Sequence, residues 1–207
     1  MSKPLGVILA GGLARRMGGG DKGLLDLGGQ SLLGEVIARM APQCAGLVLN
    51  ANGDAARFAG FGLPVIPDGI DGFPGPLAGV LAGMARAAEL GQSHILTAAA
   101  DTPFLPRDLG PRLRDALRPD RPIALAATRE EGRVIRQPVF GLWPVALRDD
   151  LRAAIEGGLS KIVLWTDRHG TALAEFDTGP PHPFFNVNTP EDLAEARAIW
   201  HKGRAEL

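Results

Sequence analysis

The segment Leu9-Ala-Gly-Gly-Leu-Ala-Arg-Arg-Met-Gly-Gly-Gly-Asp-Lys22 packs five glycines and three cations into fourteen residues. Glycine leaves backbone N–H groups free to converge on an oxyanion without side-chain obstruction. Arg15, Arg16 and Lys22 add cationic donors, the arginines as bidentate forks and the lysine as a point charge. Phosphate binding is the chemistry such a segment suits. The spacing G-x-x-x-x-G-K-[ST] is absent, so this is not the familiar nucleoside triphosphatase loop. The dinucleotide fingerprint G-x-G-x-x-G fits formally at Gly18, Gly20 and Gly23. It begins eight residues after the preceding apolar run, too late for the tight turn that the fingerprint requires.

Other polar residues interrupt apolar runs in a similar way. Asn50 ends Gly46-Leu-Val-Leu, Asp68 follows Pro64-Val-Ile-Pro, and Asp101 follows His94-Ile-Leu-Thr-Ala-Ala-Ala. Each alone could be a turn former, since Asn and Asp favour turns. Together with Gly11 and Gly12 they mark one edge of a sheet, the carboxyl ends of its strands, where open α/β proteins bind ligands. A carboxylate at Asp101 suits Mg²⁺, which takes one or two carboxylates plus substrate phosphate oxygens. Gly75-Pro-Leu-Ala-Gly79 opens a helix whose first amides can face the same crevice. Asn186 and Asn188 lie two apart in an extended stretch, hence on one side of it. His94, His169, His182 and His201 have no ligand-like spacing.

The elements that must position these residues alternate. Strands are expected at Leu5–Ala10, Gly46–Asn50, Pro64–Pro67, His94–Ala100, Ile123–Ala127, Val139–Trp143 and, as an outer strand, Thr171–Phe176. Helices are expected from the N-cap Ser31 to Pro42, from Leu77 to about Glu89, across Leu109, Leu113 and Leu117, from Val145 to Glu156, and from Ser160. The closing helix carries the clearest start signal: Thr189 as N-cap, Pro190 in the first turn, and Glu191 and Asp192 near the positive end. The Gly/Pro-rich stretch Pro67–Pro76 reads as an active-site loop. This order predicts an α/β chain with a mainly parallel central sheet and helices on both faces, residues 1–207 forming one domain.

Bulk composition narrows the function. With 22 Lys and Arg against 23 Asp and Glu, the chain lacks the basic excess that nucleic-acid binding requires. The single cysteine, Cys44, cannot form an internal disulfide and reads as a small packing residue. The apolar run near the N-terminus is too short for a signal peptide or a membrane span. The expectation is a cytoplasmic protein with no membrane or nucleic-acid partner.

The segments LAGGLARRMGGGDKGLLDLGG, FPGPLAG, DTPFLP and FNVNTPEDL, in that order from Leu9 to Leu193, resemble those of the molybdenum cofactor guanylyltransferases. The first segment alone resembles the wider nucleotidyltransferase family. The resemblance implies a Rossmann-like nucleotidyltransferase fold and the transfer of GMP from Mg-GTP to the terminal phosphate of molybdenum-bound molybdopterin, with release of pyrophosphate. By the same resemblance Leu9, Ala10 and Gly11 contact the guanine nucleotide, Lys22 its phosphates, and Asn50 and Asp68 the nucleotide. Gly12 is expected to join the nucleotide-binding residues, and Arg16 to act with Lys22 and Asp101 in positioning and charge neutralisation during catalysis. Asp101 takes GTP and Mg²⁺, while Asn186 and Asn188 hold the pterin or order the site. Transient contact with molybdoenzymes or their chaperones is a further implication. Competing readings are a cytidylyltransferase for the same pterin, a sugar-phosphate nucleotidyltransferase, or a nucleotide-binding cofactor carrier without turnover. Related cytidylyl enzymes carry a bulkier residue where Gly11 and Gly12 stand, which favours a purine here.

Overall fold

A computed structural model describes residues 2–11, 20–70 and 75–205. Its strands are β1 (Leu5–Leu9), β2 (Gly46–Asn50), β3 (Val65–Ile66), β4 (His94–Ala99), β5 (Ile123–Glu130), β6 (Arg133–Pro144) and β7 (Thr171–Phe176). Its α-helices are α1 (Leu32–Met40), α2 (Pro76–Glu89), α3 (Leu109–Ala116), α4 (Arg148–Glu156), α5 (Ile162–Thr166) and α6 (Pro190–Ala205). Among the described residues, no helix is long and apolar enough to cross a membrane.

The seven strands form one sheet in the order β3-β2-β1-β4-β6-β5-β7. Four pairings are parallel, and only β6 runs against its neighbours β4 and β5. The sheet is therefore mainly parallel, as the alternation of elements predicts. Strand residues divide between its faces with the period of two that pleating dictates. On β1, Leu5 and Val7 pack with α2 residues Leu77, Val80, Leu81 and Met84, while Ile8 packs with Leu33, Val36 and Met40 of α1. On β5, Ile123 and Leu125 join the first cluster, and Ala124 and Ala126 the second. Each fully buried Leu, Ile or Met contributes about 1.5–3 kcal/mol, which explains why both faces of the central strands read as continuous apolar runs.

Local signals set the helix starts. Ser31 accepts a hydrogen bond from Gly34 N at 3.0 Å and caps α1. At α6, Asp192 N donates to Thr189 Oγ1 at 3.1 Å, and Thr189 N donates to Asp192 Oδ2 at 2.9 Å. This is a reciprocal capping box with Asp in the place usually held by Glu or Gln. The segment expected as helix from Val145 opens with a 3-10 turn, Val145–Leu147, before α4.

The largest departure from the sequence reading is β6, which begins at Arg133 and not at Val139. Pro138 has no N–H for the ladder, and proline inside a sheet is confined to edges and bulges. Here the ladder jumps from Leu125↔Gly141 to Ala126↔Gln137, so residues 138–140 bulge out of register. Thr97 on β4 ties the bulge down. Its hydroxyl donates to Val139 O at 2.6 Å and accepts from Gly141 N at 3.2 Å and Trp143 Nε1 at 2.8 Å.

Cys44 lies buried beside Gly6, where a Cβ would come within 2.7 Å of its Sγ. Burial pushes its thiol pKa up to about 12, against a small opposing effect from Lys3.

Candidate active site

Leu9 pairs with Asn50 on one side and with Ala99 on the other, so β1, β2 and β4 end level with one another. Ile66 pairs with Asn50, which brings Asp68 to the same edge. Outside these carboxyl ends lies a cavity of about 440 Å³. Leu9, Ala10, Gly11, Lys22, Asn50, Asp68, Asp101 and Asn186 line it, eight positions singled out from the sequence. The expected Gly12 and Arg16 lie outside the described residues, as do positions 71–74 of the Pro67–Pro76 loop.

Lys22 stands in a short 3-10 turn, Lys22–Leu24. Its ammonium donates to Asn188 Oδ1 at 2.5 Å and reaches Asp101 Oδ2 at 3.4 Å. Burial raises the Asp101 carboxyl pKa, and the Lys22 charge and hydrogen bond oppose that rise. Asn188 does not line the cavity wall itself. It enters the site through Lys22. Asn186 Oδ1 accepts from Thr102 Oγ1 at 2.8 Å, and Val187 N donates to Asp101 O at 3.0 Å. The Asn186–Asn188 stretch thus lies along Asp101, anchored by the fully buried Val187. Hydrogen bonds from the Asn188 and Thr189 N–H groups hold the Asp192 carboxyl below the ordinary carboxylate range.

A second cluster forms the opposite wall. Asn50 Nδ2 donates to Asp68 Oδ1 at 2.9 Å, and Asn52 Nδ2 donates to Asp68 Oδ2 at 2.7 Å. Asp68 N returns a bond to Asn52 Oδ1 at 2.9 Å. Asn52 was not among the residues expected from the sequence. Its signal is the one that marks Asn186 and Asn188: it stands two residues from Asn50 in an extended stretch. Nearby, Arg57 Nε lies 2.6 Å from Asp21 Oδ2 and ties the start of the Lys22 turn to the loop after β2.

The floor depends on α2, which crosses close beneath β1 and β2. A Cβ at Gly79 would stand 2.2 Å from Asn50 Oδ1 and 2.7 Å from Leu9 Cδ2. Gly79→Ala should therefore lower stability by about 1–3 kcal/mol through overpacking. An unchanged urea midpoint would show that Asn50 can leave Asp68 freely.

Among the described residues, no three or more His, Cys, Asp or Glu side chains converge as a metal cage. Two carboxylates line the cavity, Asp68 held by Asn50 and Asn52, and Asp101 beside the Lys22 ammonium. Asp101 is a donor that suits Mg²⁺, which keeps waters and draws its other ligands from substrate oxygens. A divalent cation beside Asp101 would also offset the burial that disfavours its charged form.

The chain matches the family model for the MobA-like NTP transferase domain over residues 6–196. It is 54% identical over 196 residues to a molybdenum cofactor guanylyltransferase of Rhodopseudomonas palustris (strain BisB5), covering 93% of this chain and 92% of that protein. Among solved structures, the molybdopterin-guanine dinucleotide biosynthesis protein A of Archaeoglobus fulgidus superposes with a TM-score of 0.71 at 22% identity, covering 96% of this chain and 99% of that one. The 2-C-methyl-D-erythritol 4-phosphate cytidylyltransferase of Thermus thermophilus superposes with a TM-score of 0.69 at 22% identity, over 97% and 100% of the two chains. At such identities the likeness concerns the fold, a Rossmann-like nucleotidyltransferase fold.

Proposed function

This chain belongs to the MobA-like NTP transferase family, with the molybdenum cofactor guanylyltransferases, and on that premise we propose that it transfers GMP from GTP to the terminal phosphate of molybdenum-bound molybdopterin, as a single catalytic domain. The observation that carries this reading is the Lys22 ammonium, shared between Asn188 and Asp101 at a cavity built from the ends of β1, β2 and β4. Leu9, Ala10 and Gly11, with Gly12 after them in sequence, would take the nucleotide, together with Asn50 and Asp68. Lys22 and Arg16 would take its phosphates. Asn186, which lines the cavity, would help hold the acceptor pterin, and Asn188 would order the site through Lys22.

The acceptor phosphate is already an anion, so the step needs no deep general base. Its oxygen attacks the α-phosphorus of GTP. The bond from that phosphorus to the bridging oxygen breaks, and the electron pair leaves with pyrophosphate. The barrier comes from bringing two anions together and from the charge that grows on the leaving group. Lys22, already oriented by Asn188, meets that charge with a preorganised donor, and the partly buried surroundings strengthen the interaction. Asp101 would hold Mg²⁺, which when bound neutralises phosphate charge. Holding GTP and the acceptor in line adds the advantage of proximity.

The test is to incubate the protein with Mg²⁺, molybdopterin and each of ATP, GTP, CTP and UTP, following pyrophosphate release. GTP should be used at least about tenfold better than CTP, which requires only about 1.4 kcal/mol of discrimination. Equal or better use of CTP would overturn the guanylyl assignment.

A further inference from the structure

Lys22 reaches into the cavity from a 3-10 turn of only three residues, and the neighbouring Leu24 is exposed. So short a turn cannot by itself choose one orientation for a four-carbon side chain with large rotamer entropy. The orientation is supplied from the far end of the chain by Asn188 Oδ1, 2.5 Å from Nζ. What holds Asn188 is unusual. In an ordinary capping box the side chain in the first turn bonds the N-cap residue's N–H alone. Here Asp192 Oδ2 accepts two bonds, one from the N-cap residue Thr189 at 2.9 Å and one from Asn188, the residue before it, at 2.8 Å. The second bond is not needed to start α6. It grips the residue whose side chain holds the lysine.

We propose that Asp192 is a positioning residue for Lys22: it fixes the Asn188 backbone so that the Asn188 side-chain oxygen Oδ1 holds the ammonium off Asp101, leaving both groups open to a nucleotide. Without this restraint, Lys22 is free to close the 3.4 Å gap to Asp101 Oδ2 and form a tight ion pair. Both partners would then be less open to a nucleotide. The inference rests on the reading of the cavity as a GTP site.

The cap and the positioning role separate by mutation, because Thr189→Ala removes the bond from Asp192 N to Thr189 Oγ1 and leaves Asp192 Oδ2 on Asn188. The readouts are calorimetric affinity for GTP with Mg²⁺, without acceptor, and thermal melting. Thr189→Ala should lower the melting temperature and leave the GTP Kd unchanged. Asp192→Ala should raise the Kd about 3- to 10-fold, the loss expected for one hydrogen bond. Asp192→Asn keeps an oxygen that can accept both bonds, so it should stay near the parent Kd even if the alanine variant folds poorly. Combined with Lys22→Ala, Asp192→Ala should change the Kd by less than about twofold, since both act through one ammonium. If Lys22→Ala leaves GTP affinity intact, the nucleotide-site reading falls and this inference with it. If Lys22→Ala weakens binding but Asp192→Ala has no effect, or its full effect persists without Lys22, the inference alone is overturned. A Kd for Asp192→Asn as weak as for Asp192→Ala would overturn it too, because charge and not position would then be at work.

Discussion

Asp101→Asn should reduce GMP transfer on the order of 10³-fold or more, the loss expected when several kcal/mol of transition-state charge stabilisation disappears. The replacement keeps the size and turn-forming character of the side chain, so a purely structural role would survive it. Stability should move the other way. Burial raises the Asp101 pKa above its unfolded value, so the folded state binds the proton more tightly. Such a group disfavours the fold as pH rises from the ordinary carboxylate range through the raised folded-state pKa. In metal-free buffer at neutral pH, Asp101→Asn should therefore melt at or above the parent temperature. The difference should close as the pH falls below the ordinary carboxylate range. Near-normal turnover with unchanged Mg²⁺ dependence would make Asp101 structural. A lower melting temperature at neutral pH would show that the Lys22 pairing outweighs the desolvation.

Lys22→Ala should weaken GTP use roughly 10- to 150-fold, as expected for one charge-assisted hydrogen bond contributing about 1.5–3 kcal/mol. The effect should appear in kcat/KM measured with GTP varied and molybdopterin saturating. Part of the loss comes indirectly. Lys22 is the largest influence opposing the burial of Asp101, so its removal leaves that carboxylate less readily ionised. The variant should therefore lose more activity at the acidic end of the pH range than at the alkaline end. Unaltered kcat/KM in a folded variant would show that the turn at Lys22 does not meet phosphate.

The sequence makes these residues visible to different degrees, for physical reasons. Gly46–Asn50 and Thr171–Phe176 are legible to the residue because each is a short apolar or alternating run between turn formers. The cap at Thr189 is legible because its chemistry is local. Asp101 and Asn50 stand out because polar side chains end apolar strands. The route of β6 is hidden, because Pro138 reads locally as a strand break, while the β5 ladder resumes on both sides of it and the Thr97 contact that holds the bulge comes from neighbouring β4, 42 positions away. The bond from Lys22 to Asn188 spans 166 positions, and no spacing rule covers such a distance. Asn52 was legible by the spacing applied to Asn186 and Asn188.

The packing around Cys44 makes this protein convenient for labelling chemistry. Burial pushes its thiol pKa far above the ordinary range, so little of the reactive thiolate forms near neutral pH, and the buried sulfur is also shielded from reagents. Cys44 is also the only cysteine in the chain, so the natural sequence behaves toward maleimides almost as a cysteine-free background. A Leu24→Cys variant would place one accessible sulfur two residues from Lys22, on a side chain that is 37% exposed. A single dye attached there would sit next in sequence to the cavity-lining Gly23, without any second substitution to silence the native thiol.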